Sequence, residues 1–450
     1  MTVGSPVKHI LIFALPLLIG NLFQQFYNMV DSIIVGKFVG ANALAAVGTC
    51  GSMSFLFFSL SAGLATGIGI IVSQYYGAKA EEKVRATIGN SFYVIGAVSL
   101  LVTALGFLFA PFLLKLLDTP QSIIADSILY MRTTCIGILA IGLYNCIASI
   151  LRALGDSKTP LYFLILASIV NVLLDLLFVL AFQWGVFGVA LATIVSQAIC
   201  ALTSFMYAYI RIPYFHLTKE QLKPEKRIIV DSFRLGVPVA LQNSMIAVSC
   251  MALQGVVNSF GETVMAAFTI SSRIEQVVQQ PYSSLGMALT TYAGQNMGAG
   301  KLDRVKKGYH RAIVMVAIFS LSMIPVFYLF GRSIVCIFVD EPAVISMGVN
   351  ALRITSLCYF GLGMIYVPRA ILNGCGDTGF AMLNGFTEVV CRIVYSQIFT
   401  RIALIGFWGV WITTGFTWVT TAIVCIMRYG SGRWKTKAIV PSVSHTDDGK

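Results

Sequence analysis

One spacing runs through this chain. VSQYYGAKAEEKV at residues 72–84 returns as AGQNMGAGKLDRV at 293–305, so that Gln74 meets Gln295, Gly77 meets Gly298 and Val84 meets Val305, each 221 residues on. LRALGD at 151–156 returns as LNGCGD at 372–377 with the same offset, and Asp118-Thr-Pro120 returns as Asp340-Glu-Pro342 one residue later. Residues 15–48 have a weaker echo at 237–269. Three loop motifs holding one spacing mark an internal duplication, so both halves must share a fold.

What that fold is follows from hydropathy. Of the 450 residues, 57% are hydrophobic and 11% charged, with mean hydropathy +0.83. So few charges cannot cover so much apolar side chain in water, and the chain reads as an all-α polytopic membrane protein. A bilayer crossing needs about 20 apolar residues. Such runs are expected near 10–36, 45–75, 88–112, 123–153, 160–181 and 187–210, then near 232–258, 263–297, 308–331, 343–374, 380–402 and 406–428. Six spans per repeat is an even number, so the halves run parallel, a transporter plan with the substrate path between them. The expected organisation is an N-lobe (1–211), a basic linker (212–230), a C-lobe (231–430) and a polar tail (431–450).

The net charge of +12 sits in short loops, which points to membrane orientation rather than to nucleic acid. Inner segments carry Lys8, Lys79, Lys83, Arg85, Arg152 and Lys158, then the linker and the Lys301–Arg311 cluster, whereas outer loops carry little beyond Lys37, Lys115, Arg332 and Arg401. Both termini are therefore expected in the cytoplasm. The N-terminal apolar run lacks a small-residue cleavage site and reads as the first span rather than a leader. The ten cysteines are scattered without a CxxC pair, and the four histidines, His445 in the tail included, show no paired spacing. Neither a metal site nor a disulfide framework is expected. Residues 374–379 satisfy GxGxxG, but a membrane helix precedes them where a dinucleotide site needs a strand, so they read as a glycine turn. No ATP-binding loop or esterase motif occurs, and Gly63-Leu-Ala-Thr-Gly67 reads as a close helix crossing.

Against this background, acids inside apolar spans stand out, at a cost of roughly 3 kcal/mol each. Asp31 lies in the first span with Pro16 near its start. One reading makes it a helix-end acid, because Gly36 follows five residues later. Asn171 and Asp175 lie four apart on one face of the fifth span, and Thr193 lies less than two turns into the sixth. Counted from independent helix ends, Asp31, Asp175 and Thr193 reach similar depths. Two carboxylates at one depth repel unless a proton or cation sits between them, and Asn171 and Thr193 add neutral oxygens. The set reads as a site for a coupling ion, H⁺ or Na⁺, with structural acids as the alternative. In the second half, Glu388 has Arg392 at i+4, an expected intrahelical pair. Glu275 has no local partner and is a candidate for a substrate cavity, with Gln242, Asn243, Gln279 and Gln280 at its side; helix packing explains these residues equally well.

The first helix with Pro16 and Asp31, Gln74-Tyr-Tyr-Gly77, the 151–156 motif, Gln295-Asn-Met-Gly298 and the 372–377 motif, in this order over residues 8–430, resemble the multidrug and toxic compound extrusion (MATE) family. The resemblance implies a V-shaped pair of six-helix bundles exchanging organic cations for H⁺ or Na⁺. In the DinF-like branch an Asp of helix 1, an Asn and an Asp of helix 5 and a Thr of helix 6 build the N-lobe site, matching Asp31, Asn171, Asp175 and Thr193. Family behaviour also implies a helix 1 bend at Pro16. The NorM-like C-lobe acids are missing from 235–259 and 350–371. The expectation is a monomeric antiporter in a bacterial inner membrane, working on small organic cations among membrane lipids, with no cofactor beyond the ion. Its rivals are a flippase for lipid-linked oligosaccharide or peptidoglycan precursors, for which Arg273 and Arg392 are a thin basic supply, and an intramembrane aspartyl enzyme built on the two aspartates.

Overall fold

The computed structural model describes residues 1–116 and 119–440. Asp118 of the third repeat motif, residues 441–450 of the expected tail and His445 lie outside the described residues. In chain order the helices are α1 (Pro6–Ile34), α2 (Ala41–Gly77), α3 (Glu81–Leu116), α4 (Ile124–Ile136), α5 (Ile138–Ala153), α6 (Lys158–Asp175) and α7 (Gly185–Arg211). The second half holds α8 (Lys226–Asn258), α9 (Glu262–Gly298), α10 (Leu302–Val335), α11 (Pro342–Ser356), α12 (Tyr359–Gly374), α13 (Gly379–Phe399) and α14 (Gly409–Gly430). The chain is an all-α polytopic membrane protein.

Two expected spans are broken. α4 and α5 meet at 45° and α11 and α12 at 48°, each pair together long and apolar enough for one crossing. Gly137 lies at the first break and Cys358, its repeat mate, at the second. Among the described residues, eight helices are long and apolar enough to cross a bilayer, or ten when each bent pair counts as one span. α9, which carries Glu275, and α13, which carries the Glu388–Arg392 pair, occupy the two remaining expected positions. α8 starts at Lys226, inside the stretch read as linker, because nothing after Pro224 interrupts the helical run. Beyond α14, Trp434 is buried and donates through Nε1 to the Tyr429 carbonyl at 3.0 Å.

The duplication extends into backbone geometry. Left-handed or other positive-φ residues recur exactly one repeat apart at Gly40 and Gly261, Lys79 and Gly300, Gly155 and Gly376, and Gly185 and Gly406. Hydrogen bonding repeats with them. Asp156 N donates to Leu151 O at 2.9 Å and Asp377 N to Leu372 O at 2.9 Å, closing the same helix-ending turn. The matching glycines supply the φ that other residues resist. The two aspartates then diverge. Asp156 Oδ1 accepts the amides of Lys158 and Thr159, each at 3.0 Å, and caps α6. Asp377 instead takes a bidentate pair from Arg428 at 2.8 and 2.9 Å.

Packing divides the chain into two compact units, Leu15–Leu241 and Met1–Ala14 with Gln242–Lys450. Both boundaries fall inside continuous helices, α1 and α8. Within the Leu15–Leu241 unit, the expected close crossing is present. A Cβ on Gly63 would stand 2.5 Å from the Ala240 amide nitrogen, and one on Gly67 would stand 2.6 Å from that of Gly236. Gly63-x₃-Gly67 of α2 thus meets Gly236-x₃-Ala240 of α8, backbone against backbone, as small residues at such spacing permit.

Candidate functional site

α1 does not stop at Gly36. It runs into a wide π turn, Val35–Val39, closed by Gly40 N donating to Val35 O at 3.0 Å. Asp31 is therefore a residue within the helical path rather than an acid at its end. α6 behaves alike, passing directly after Asp175 into a second π turn, Leu176–Ala181. Wide turns of this kind recur at functional sites because they displace side chains from the regular helical register. Val35 and Val179, one from each turn, pack in one apolar cluster with Val186 and Val189 of α7, and the Tyr130 ring lies against it. This cluster brings the ends of α1 and α6 together beside α7.

Above that floor the Asp31 and Asp175 carboxyl groups meet within hydrogen-bonding reach. Asp175 is fully buried and Asn171, one turn earlier, is 1% exposed. The Thr193 hydroxyl donates to Val189 O at 3.1 Å and lies near the Tyr27 hydroxyl. Asp31, Asp175 and Thr193, expected at one depth, and Asn171, expected on the face of Asp175, thus fall in one oxygen-lined neighbourhood in which Asn171 and Asp175 are buried and Asp31 and Thr193 half-buried. Two carboxylates are both acceptors, so contact between them requires a proton or a cation to bridge them. Chemically, the site can hold and release one small positive charge.

Two members were not expected. Tyr27 is four residues before Asp31 on the same face of α1, a signal that i, i+4 spacing carries. Tyr130, on α4, lies near Asp31, Tyr27 and Asp175; only the tertiary fold brings it there. Pro16 is buried inside an unbroken α1. Lacking an N–H, it leaves the carbonyl one turn earlier without its helical donor.

The remaining candidates lie in the unit containing Gln242–Lys450. Glu275 is buried at 8% exposure, near Thr355 of α11 and Arg392 of α13. Arg392 itself pairs with Glu388 at 3.0 Å, as the spacing predicts, and its Nη1 donates to Cys250 Sγ at 2.8 Å. Gln242 is buried against Gly385 of α13, whose Cβ would come 3.1 Å from the Gln242 Cα. Asn243, Gln279 and Gln280 are half-buried, and Gln280 Nε2 donates to Gln276 O at 2.9 Å along its own helix. Arg273 is exposed.

Comparison with known proteins matches this architecture. The MatE family profile covers residues 16–177 and 238–398, and a profile of the lipid II flippase MurJ covers 125–266. The chain is 31% identical to the probable multidrug resistance protein YpnP of Bacillus subtilis, over 96% of this chain and 97% of that protein. It is 28% identical to the probable multidrug resistance protein YoeA of the same organism, over 95% and 94%. A solved MATE structure in complex with MaL6 superposes with TM-score 0.89 at 25% identity, over 96% of this chain and 97% of that one. The internal duplication and the length of the family match agree, and the chain belongs to the MatE family of multi-pass membrane transporters.

Proposed function

We propose that this protein exports amphipathic organic cations from the cytoplasm in exchange for H⁺ or Na⁺, with the Asp31–Asp175 pair as the coupling site. The observation that carries this reading is the contact between the half-buried Asp31 carboxyl group on α1 and the buried Asp175 carboxyl group on α6, amid hydroxyl and amide oxygens. Such a pair binds one small cation strongly and is strained without it. Coupling requires the ion to bind two conformations with different affinity; moving a population from 1:99 to 99:1 takes about 5.5 kcal/mol. A bridging charge tying α1 to α6 supplies such a difference, and α1, weakened at Pro16, is the helix that responds. The similarity to YpnP and YoeA, both probable multidrug resistance proteins, supports a drug-like substrate, and the N-lobe acids follow the DinF-like pattern. The expected setting is a bacterial inner membrane, with both termini cytoplasmic and one chain as the working unit.

The test is ethidium efflux from proteoliposomes under a pH gradient and, separately, a Na⁺ gradient. Efflux driven by one of them supports the reading and names the ion. Movement under neither gradient contradicts it and promotes the second reading, a flippase of lipid-linked precursors, favoured by the MurJ profile match over 125–266.

A further inference from the structure

The two compact units exchange their helix lead-ins. Gly4, Thr2 and the start of α1 pack with the Gln242–Lys450 unit, although α1 continues as part of the Leu15–Leu241 unit. Conversely, Glu225 and the start of α8 pack with Leu15–Leu241, although α8 continues in the other unit. Each lead-in is gripped by the loop and helix that follow the second span of the unit holding it. Arg304 Nη1 donates to Gly4 O at 3.0 Å, and Lys301 Nζ donates to Thr2 O at 3.1 Å. Lys83 Nζ pairs with Glu225 at 2.8 Å, and the Glu225 amide donates to Asn90 Oδ1 at 2.8 Å. Tyr93 Oη adds a bond to Leu222 O at 3.0 Å.

The two grips share one repeat correspondence, although Lys83 meets a side-chain carboxylate and Arg304 a backbone carbonyl. Lys83 and Arg304 are one repeat apart, and so are Glu225 and Gly4. The duplicated position that supplies a cation therefore holds the duplicated position that leads into a half's first helix, in both directions. All these residues belong to the segments whose basic charge marks the cytoplasmic side.

We propose that Lys83 and Arg304 form a reciprocal pair of latches that keep α1 and α8 exchanged, and that both release when the substrate path opens to the cytoplasm. This rests on the alternating-access reading above. Physically, the latches suit reversible release. Their bonds are few and partly exposed, with the Lys83 side chain 49% and the Glu225 side chain 35% accessible, so each contributes modestly.

The test uses the full-length protein in nanodiscs, with spin labels carried on non-canonical residues so that the native cysteines stay untouched. One label pair sits at Val3, which is 74% exposed, and Asp303; the other sits at the exposed Lys79 and Lys219. Distances are measured for wild type, Arg304→Gln and Lys83→Gln, without substrate or gradient. Losing a partly exposed charged contact of this kind raises the released-to-docked ratio by about two- to fivefold. The expected result is a longer-distance population that grows in both label pairs in either variant. Unchanged distributions in both variants overturn the proposal, and so does a rise confined to the strap whose own clamp was removed. Distances alone decide this, so a failure of ethidium efflux in the wild type strikes the antiport reading and leaves the latch result standing.

Discussion

The crossing of α2 with α8 makes a sharp energetic prediction. At Gly67 a Cβ would lie 2.6 Å from Gly236 N, 2.7 Å from Gly236 Cα and 3.1 Å from Ser232 O. Ordinary carbon contacts lie at about 3.5–4.0 Å. The atoms in the way are backbone, which cannot swing aside, so Gly67→Leu must push the helices apart by about 1 Å at that level. Overpacking of this kind costs about 1–3 kcal/mol. Gly255 provides the matched control. It is exposed on α8, and nothing lies within 4 Å of its Cβ position. Gly255→Leu makes the same chemical change and gains about 0.8 kcal/mol from helix propensity. The propensity gain is common to both helix-interior sites, so the two variants should differ by the overpacking cost of about 1–3 kcal/mol, with Gly67→Leu unfolding at a lower temperature than wild type and Gly255→Leu at an equal or higher one. The assay is thermal unfolding followed by tryptophan fluorescence in detergent at one fixed scan rate, because membrane proteins of this size unfold irreversibly. Equal midpoints for the two variants, or a Gly67→Leu protein as stable as wild type, would refute the backbone-to-backbone crossing.

Three other perturbations test separate parts of the structure. Asp156→Ala should cost about 1 kcal/mol as a lost helix cap, whereas Arg428→Ala, which strands the buried Asp377 carboxylate, should cost about 3 kcal/mol; the same thermal assay ranks them, and the reverse order contradicts the divergence of the repeat mates. Arg392→Met should destabilise by about 3–5 kcal/mol because Glu388 is left charged and buried, and adding Glu388→Gln should recover most of that loss; a double mutant no better than the single one removes the ion pair as the cause. Tyr27→Phe should slow gradient-driven ethidium efflux several-fold while lowering stability by only about 1 kcal/mol, the scale of one lost hydroxyl interaction. Unchanged efflux would place Tyr27 outside the coupling machinery.

The duplication was legible because polar loop motifs survive in sequence as fixed spacings, and the backbone adds glycines 40/261 and 185/406, which sit at the same offset in plain view. Asp31, Asn171, Asp175 and Thr193 were legible because helix rise converts residue counts into depth. The π turns after Asp31 and Asp175 were hidden, since Val35–Val39 and Leu176–Ala181 are apolar stretches that suit a regular helix equally well. The same applies to the breaks at Gly137 and Cys358, where hydropathy stays continuous across a bend. Tyr27 had a visible i, i+4 relation to Asp31, but an amphipathic aromatic in a span has many uses. Tyr130 and the exchanged lead-ins depend on which surfaces meet in three dimensions. No local pattern encodes that Glu225 should find Lys83, and the repeat correspondence with Gly4 and Arg304 emerges only once the contacts are known.

The central claim is that one small cation, held between Asp31 and Asp175, is exchanged for each exported organic cation. The most direct measurement is simultaneous recording of ethidium efflux and counter-ion uptake in proteoliposomes, with an internal pH dye for H⁺ and radioactive Na⁺ for sodium, for wild type and Asp31→Asn. The amide keeps the size of the carboxyl but cannot complete a two-carboxylate site. The account predicts ion uptake in fixed proportion to ethidium export in the wild type, and loss of both in Asp31→Asn while the protein remains folded by thermal unfolding. Export and ion uptake that persist together in Asp31→Asn at the wild-type ratio would contradict it.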